Sequence, residues 1–313
     1  MIVAVTGSSG FLGSALVSSL AAGGHRVLPL VRREVRPGED ALRWDPVSGA
    51  IASPGPAIAD AVVHLAGESI AGGRWTARKK QRIRESRVDA TRRLTDTLTR
   101  LAKPPAVLVC ASAIGYYGSR GDEVLSEESR PGTGFLADVG REWESASAAA
   151  IVRGIRVVNV RIGIVLSPAG GALAKMLTLF RLGLGGVIGG GAQWMSWIAL
   201  DDVLGALRHA LGTEALRGPV NAVAPAPVTN AEFTRTLGRL LRRPTLVPMP
   251  AFAARLALGE MADELLLSSQ RVLPARLLAS GFAFRYPTLE GALRHELGRC
   301  RARYEQRLDQ NAA

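Results

Sequence analysis

Three features of this 313-residue sequence predict an α/β fold built on a doubly wound parallel sheet. The chain opens with a short apolar run, a glycine-rich turn and a helix-length segment. Strand-like apolar runs and longer helical stretches then keep alternating, the pattern that feeds parallel strands through crossover helices. After residue 240 the character changes to short helical stretches punctuated by prolines, which predicts a small, mainly helical C-terminal domain.

The opening, "MIVAVTGSSGFLGSALVSSLAAGGHRVLPLVRR", gives a strand over Ile2 to Val5, a turn, a helix ending near Gly23 and Gly24, and a second strand from Arg26 to Val31. The turn reads T-G-x-x-G-x-x-G. Gly7, Gly10 and Gly13 have the spacing that lets a backbone turn sharply, approach a pyrophosphate and pack the helix on the sheet. The helix N-terminus then offers unpaired N–H groups to the phosphates, as in a Rossmann-type nucleotide-binding sheet. The alternative is a tight turn with no ligand. Where an NAD-binding chain would carry a carboxylate, Arg32 and Arg33 follow the second strand. Arginine suits a ribose 2′-phosphate, so NADP(H) is expected.

Further along, "ADAVVHLAGE" (59–68) and "PPAVLVCASAIGYYG" (104–118) read as strands followed by small-residue turns, with a long, mostly polar helix from Thr76 to Leu101 between them. "REWESASAAAIVR" belongs to the next helix, and "IRVVNVRIGIVL" (155–166) is the strand after it. In such a sheet ligands sit beyond the C-terminal ends of the strands. His64 ends one strand and reads as a packing residue near the cofactor. Lys80, Arg84 and Arg87 fall at i, i+4 and i+7 on one helical face. The first two read as a solvated basic stripe, whereas Arg87 is a candidate for phosphate. Gly183 to Gly191 form a glycine-rich loop, read as a mobile segment near a pocket because no capped helix follows it. Arg74 and Trp75, with Tyr116, Tyr117, Trp194 and Trp197, lie in predicted loops and suit a flat or apolar substrate beside a nicotinamide. Core packing is an equally good reading of Trp197.

The net charge of +12 is spread along the chain and is not interleaved with aromatics, so no nucleic-acid partner is expected. Cys110 and Cys300 lack metal-ligand spacing, which predicts no metal site, no disulfide framework and a reducing, cytoplasmic setting. No apolar run reaches membrane-spanning length, and the first one lacks a basic leader.

Taken together, "TGSSGFLG", "HLAGE", "RWTARKKQRIRESRV", "ASAIGYYG", "RIGIVL", "QWMSWIALDDV" and "PVNAVAPAPVTNAEF" resemble the epimerase-like, atypical members of the extended short-chain dehydrogenase/reductase superfamily. The resemblance is to a branch of NADP-dependent oxidoreductases with a small family-specific C-terminal domain. It implies a nucleotide-binding domain over 1–240, the small domain over 241–300 and a charged tail over 301–313. It also implies that Gly7, Ser8, Gly10, Phe11 and Leu12, with Gly13 of the same turn, meet the pyrophosphate and that Arg32 meets the ribose phosphate. Leu65, Ala66, Gly67 and Glu68 would lie beside the nicotinamide half, and Arg87 would touch NADP. The small domain is expected to cap a small-molecule substrate cleft; a structural extension or a homodimer contact is the alternative.

Catalytic members of that superfamily use a Tyr-x-x-x-Lys pair and a serine for proton transfer. Here "GFLADVGREWE" (134–144) puts Leu136 and Gly140 at the tyrosine and lysine positions, and neither can move a proton. Ala199 stands where similar proteins often have histidine. Ser112 persists, and the nearest titratable side chain is Tyr117. Ser112 and Tyr117 are therefore the expected catalytic residues of an NADP(H)-dependent oxidoreductase or epimerase-like enzyme with a non-standard relay. An NADP(H)-binding sensor or assembly factor without turnover is the second reading.

Overall fold

The structure is a computed structural model and describes residues 1–52 and 59–298; the expected charged tail, 301–313, lies outside the described residues. Seven parallel strands form the central sheet: β1 (Ile2–Thr6), β2 (Arg26–Val31), β3 (Leu42–Arg43), β4 (Ala61–His64), β5 (Val107–Ala113), β6 (Arg156–Ile162) and β7 (Gly218–Ala222). Their order is β7-β6-β5-β4-β1-β2-β3. Successive strands run outward from β1 to β3, and the chain then crosses to the other side of β1 for β4. This reversal opens a crevice between the C-terminal ends of β1 and β4, the usual ligand position in a doubly wound sheet.

The strands are apolar on both faces because both faces are covered. On one face Val3, Val5, Val63, Val109 and Val160 pack with Leu16 and Leu20 of α1 (Phe11–Ala22). On the other, Ala4, Val62, Leu108 and Val157 pack with Leu94 and Leu98, and with Ala150. Burying each of these fully covered leucines contributes about 2 kcal/mol.

The predicted polar helix is present in two phases. Thr76 caps α2 (Ala77–Arg84) by accepting the Lys79 N–H, a π turn occupies Glu85–Asp89, and α3 (Ala90–Arg100) follows and carries Leu94 and Leu98. Beyond β5 come α4 (Phe135–Ser145) and α5 (Ala148–Val152), the latter carrying Ala150. A second core gathers Leu173 and Leu177 of α6 (Gly171–Arg181), Trp197, and Phe233 and Leu237, together with Leu289 and Leu293 of the helix over 289–298. Between them, α7 (Leu200–Gly212) covers the first face of the sheet, and α8 (Asn230–Leu241) carries Phe233 and Leu237. The C-terminal segment thus shares a core with α6 and α8. It continues through α9 (Ala251–Leu258), a second π turn at Ala262–Leu266 and α10 (Ala275–Ala279). No helix among the described residues is long and apolar enough to cross a membrane.

Candidate functional site

The turn after β1 is closed to side chains. Gly7 has φ +67°, and a Cβ there would lie 2.8 Å from the Leu65 carbonyl carbon and 2.9 Å from the Ala66 nitrogen. The turn thus nearly touches the loop that follows β4. A Cβ on Gly13 would overlap the Gly7 carbonyl oxygen, and one on Gly10 would sit 3.1 Å from it. No side chain caps α1 at Gly10, so its first-turn N–H groups are positioned for an anion. Ser8, Phe11 and Leu12 are half-buried around this turn. Phe11 is covered by the start of α6, where a Cβ on Gly170 would fall 2.6 Å from its ring.

The two arginines after β2 differ. Arg33 is held by Glu39, with Nη1 donating to Oε2 at 2.8 Å, whereas Arg32 is exposed with no ion-pair partner among the described residues.

A buried polar chain sets the loop after β4. Thr6 Oγ1 accepts the N–H groups of Leu65 (3.2 Å) and Ala66 (3.3 Å), which fills its lone pairs, so its own hydrogen goes to His64 Nδ1 at 2.7 Å. His64 then donates from Nε2 to Thr91 Oγ1 at 3.0 Å, and Thr91 also accepts Trp143 Nε1–H at 2.9 Å. Burial lowers the His64 pKa to about 4, so the ring is neutral at pH 7. The sequence reading of His64 as a packing residue agrees with this placement.

Arg87 closes the crevice beside Gly67. A Cβ on Gly67 would be 3.3 Å from its guanidinium carbon, and Arg87 Nη1 donates to the Glu68 carbonyl at 2.9 Å. Burial lowers the Arg87 pKa to about 10, the Glu68 charge opposing that shift. The Glu68 carboxylate accepts Lys79 Nζ–H at 2.6 Å, a hydrogen bond that lowers its pKa. Lys79 is 6% exposed and was not singled out by the sequence. Lys80 and Arg84 lie at the solvent-exposed surface and are paired there: Lys80 Nζ donates to both Glu260 oxygens at 2.7 Å, and Arg84 Nε donates to Glu142 Oε2 at 2.6 Å.

Ser112, Arg161 and Asn221 are register partners on β5, β6 and β7, so they form one row across the sheet. Ser112 Oγ donates to Glu144 Oε1 at 2.7 Å, and Arg161 clamps the same carboxylate through Nε (2.7 Å) and Nη2 (2.8 Å). Arg161 Nη1 also donates to Tyr117 Oη at 2.9 Å. This end of the row joins the β4 loop through Trp143 and Ala111, which pack against Leu65.

Tyr117 does not face the crevice, contrary to the expectation that it delivers a proton there. It is 0% exposed, packed with Leu125 and Val272, and its hydroxyl meets Asn221 Oδ1 at 2.7 Å and the Ser126 carbonyl at 3.0 Å. Burial pushes its pKa up to about 12, against the pull of Arg161. The reason is the 3₁₀ turn Ile114–Tyr117, which sends neighbouring side chains to different sides. Tyr116 is half-buried instead, with the Arg161 guanidinium 3.6 Å from its ring centroid. Nor do the loop aromatics make one pocket. Trp197 is buried and donates to the Ala226 carbonyl at 3.0 Å, Trp194 donates to Asp122 at 2.8 Å, and Trp75 packs edge-on against Phe135.

The start of α4 is completed from the second π turn. Gly134 has φ +108° and no capping side chain of its own, and the Glu264 carboxylate accepts the N–H groups of Phe135 (3.0 Å) and Leu136 (3.3 Å).

Residues 3–222 match the NAD dependent epimerase/dehydratase family, and residues 249–296 match a domain of unknown function, DUF1731. The chain belongs to the NAD dependent epimerase/dehydratase family. It is 47% identical over 292 residues to an epimerase family protein of Mycobacterium bovis, covering 93% of this chain and 96% of that one. The crystal structure of human epimerase family protein SDR39U1 (isoform 2) with NADPH superposes with a TM-score of 0.86 at 35% identity, over 94% of this chain and 98% of the human one. A nucleoside-diphosphate sugar epimerase from Corynebacterium glutamicum gives 0.76 at 40% identity, over 95% of this chain and 58% of that one. This family membership and the seven-stranded sheet agree with the resemblance read from the sequence.

Proposed function

We propose that this chain binds NADP(H) across the β1–β4 crevice and carries out oxidoreductase or epimerase-like chemistry on a small, carbonyl-containing or aromatic substrate. The observation that carries the reading is the glycine turn: at Gly7 and Gly13 a side chain would strike backbone, and at Gly67 the Arg87 guanidinium, so the strand, turn and helix close only without side chains, as the backbone approach to a pyrophosphate requires. Gly7, Ser8, Gly10, Phe11, Leu12 and Gly13 hold the pyrophosphate, with α1 aimed at it. Arg32 takes the 2′-phosphate. Leu65, Ala66, Gly67, Glu68 and Arg87 border the nicotinamide half.

When bound, the nicotinamide supplies hydride exchange with a substrate carbon. The chain's own part is to orient and protonate. Ser112 spends its hydrogen on Glu144, so its oxygen is left as an acceptor for a substrate hydroxyl. Tyr117 works one layer back, holding Arg161 and Asn221 in place. The NADPH-bound state of the human relative supports the choice of dinucleotide.

Calorimetry with NADPH and NADH tests the proposal. NADPH should bind at least tenfold more tightly, about 1.4 kcal/mol, and Arg32→Ala should remove most of that difference. Equal affinities would sink it. The second reading, an NADP(H)-binding sensor without turnover, draws on Leu136 and Gly140, which put no proton donor where the Tyr-x-x-x-Lys pair would stand. Slow NADPH oxidation by the purified protein with a pool of carbonyl metabolites separates the two.

A further inference from the structure

We infer that Tyr116 is the phenol that gives a proton to the substrate at this site, with Arg161 and Glu144 as its positioning pair. The inference rests on the dinucleotide reading above and adds a residue that the sequence had assigned only to an aromatic wall.

Four observations meet at Tyr116. Its ring lies on the Arg161 guanidinium, 3.6 Å from centroid to carbon, whereas the buried Tyr117 ring is 5.1 Å away. Its hydroxyl has no hydrogen-bond partner among the described residues, while every other polar group of the cluster, Ser112, Glu144, Arg161, Tyr117 and Asn221, is engaged. A phenol left unengaged inside an otherwise satisfied polar cluster is available to a ligand. Its surroundings on α4 are made of small or apolar groups: a Cβ on Gly140 would stand 3.2 Å from Tyr116 Cα, and Leu136 packs on Gly115 at the same turn. Glu144, one turn further along the same helix face, reaches Tyr116 only through Arg161. Finally, Ser112, four residues earlier and next to the last residue of β5, shares the Glu144 carboxylate with Arg161, so it belongs to the same cluster.

The charge arrangement suits proton donation. A guanidinium against the ring face is a cation–π contact that fixes the ring in place. The Glu144 carboxylate holds the guanidinium in the plane that meets the ring, through two hydrogen bonds. In the step itself the Oη–H bond of Tyr116 breaks and an O–H bond forms on a substrate oxygen that is gaining negative charge. The phenolate left behind lies against the Arg161 cation and takes its next proton from water.

The test acetylates phenols of the full-length protein with N-acetylimidazole, with and without saturating NADP+, and maps the products by mass spectrometry. Tyr116 should be acetylated in the free protein and at least fivefold more slowly with NADP+ bound, and Tyr117 should be spared throughout. In parallel, Tyr116→Phe should keep its NADPH affinity and lower NADPH oxidation at least a hundredfold with phenanthrenequinone as the carbonyl probe, the scale of general acid catalysis. Acetylation of Tyr116 at an unchanged rate while calorimetry shows NADP+ bound would overturn the assignment. So would full turnover in Tyr116→Phe. A wild-type protein that binds NADP+ but leaves the quinone unreduced is still decided by the acetylation arm. Failure to bind either dinucleotide would instead remove the reading of the crevice on which the assignment stands.

Discussion

The carboxylate of Glu264 accepts the backbone N–H of Phe135 at 3.0 Å, so the helix that supplies Glu144 begins on a cap 129 positions further along the chain. Gly134 precedes that helix without a side chain to do this locally. An N-cap contact typically contributes about 1 kcal/mol. Glu264→Ala should therefore lower the melting temperature by about 2 to 4 °C, as read by circular dichroism. Glu264→Gln should recover part of the loss, because its amide oxygen can still accept. A melting temperature unchanged in Glu264→Ala would mean that water caps this helix equally well.

Tyr117 is held by three polar partners in a place without solvent. Tyr117→Phe keeps the packing and leaves Asn221 Oδ1 and Arg161 Nη1 each short of a contact. The expected cost is about 1 to 3 kcal/mol in urea unfolding, with NADPH affinity unchanged. Tyr116→Phe, which loses no internal hydrogen bond, should unfold at the wild-type midpoint. Equal destabilisation of the two variants would contradict the division between a buried and an available phenol.

His64 makes stability depend on pH. Its folded pKa, lowered by burial to about 4, is below the ordinary value of 6.5, so the unfolded chain takes up the proton first. The contribution is complete above pH 6.5 and is lost as pH falls towards 4, at about 1.4 kcal/mol per unit. Unfolding midpoints at pH 7.5, 6.0 and 5.0 should decline accordingly, and His64→Asn should flatten the slope between 6.5 and 5. A slope identical in the variant would assign the loss to other groups.

The parts of this site that could be read in the sequence are those fixed locally. Gly7, Gly10 and Gly13 constrain each other over one turn, and Arg32 follows directly from the end of β2, so spacing alone reveals them. Lys79 could not be read, because its meaning is a contact with Glu68 across a loop, and a lysine on a polar helix gives no sign of burial. Arg161 did leave a signal: an arginine inside the apolar run "VVNVRIGIVL" must be paired if the strand is central. Tyr116 and Tyr117 could not be told apart, since adjacent residues in a loop have no periodicity from which to assign an inside and an outside. The 3₁₀ turn decides it, and that turn depends on the packing of Gly115 against Leu136.

The π turn at Glu85–Asp89 gives the long helix one residue more than a continuous α-helix would need, so the two halves are out of phase by about 100°. Each half has its own buried anchor: Lys79 on Glu68 before the turn and Thr91 against His64 after it. A single-codon deletion between Glu85 and Asp89 would yield a smoother helix and a worse protein, because whichever half stayed docked would rotate the other anchor out of the interior. Relatives that are one residue shorter at this point should have given up one anchor, and the identities at positions 79 and 91 would reveal which.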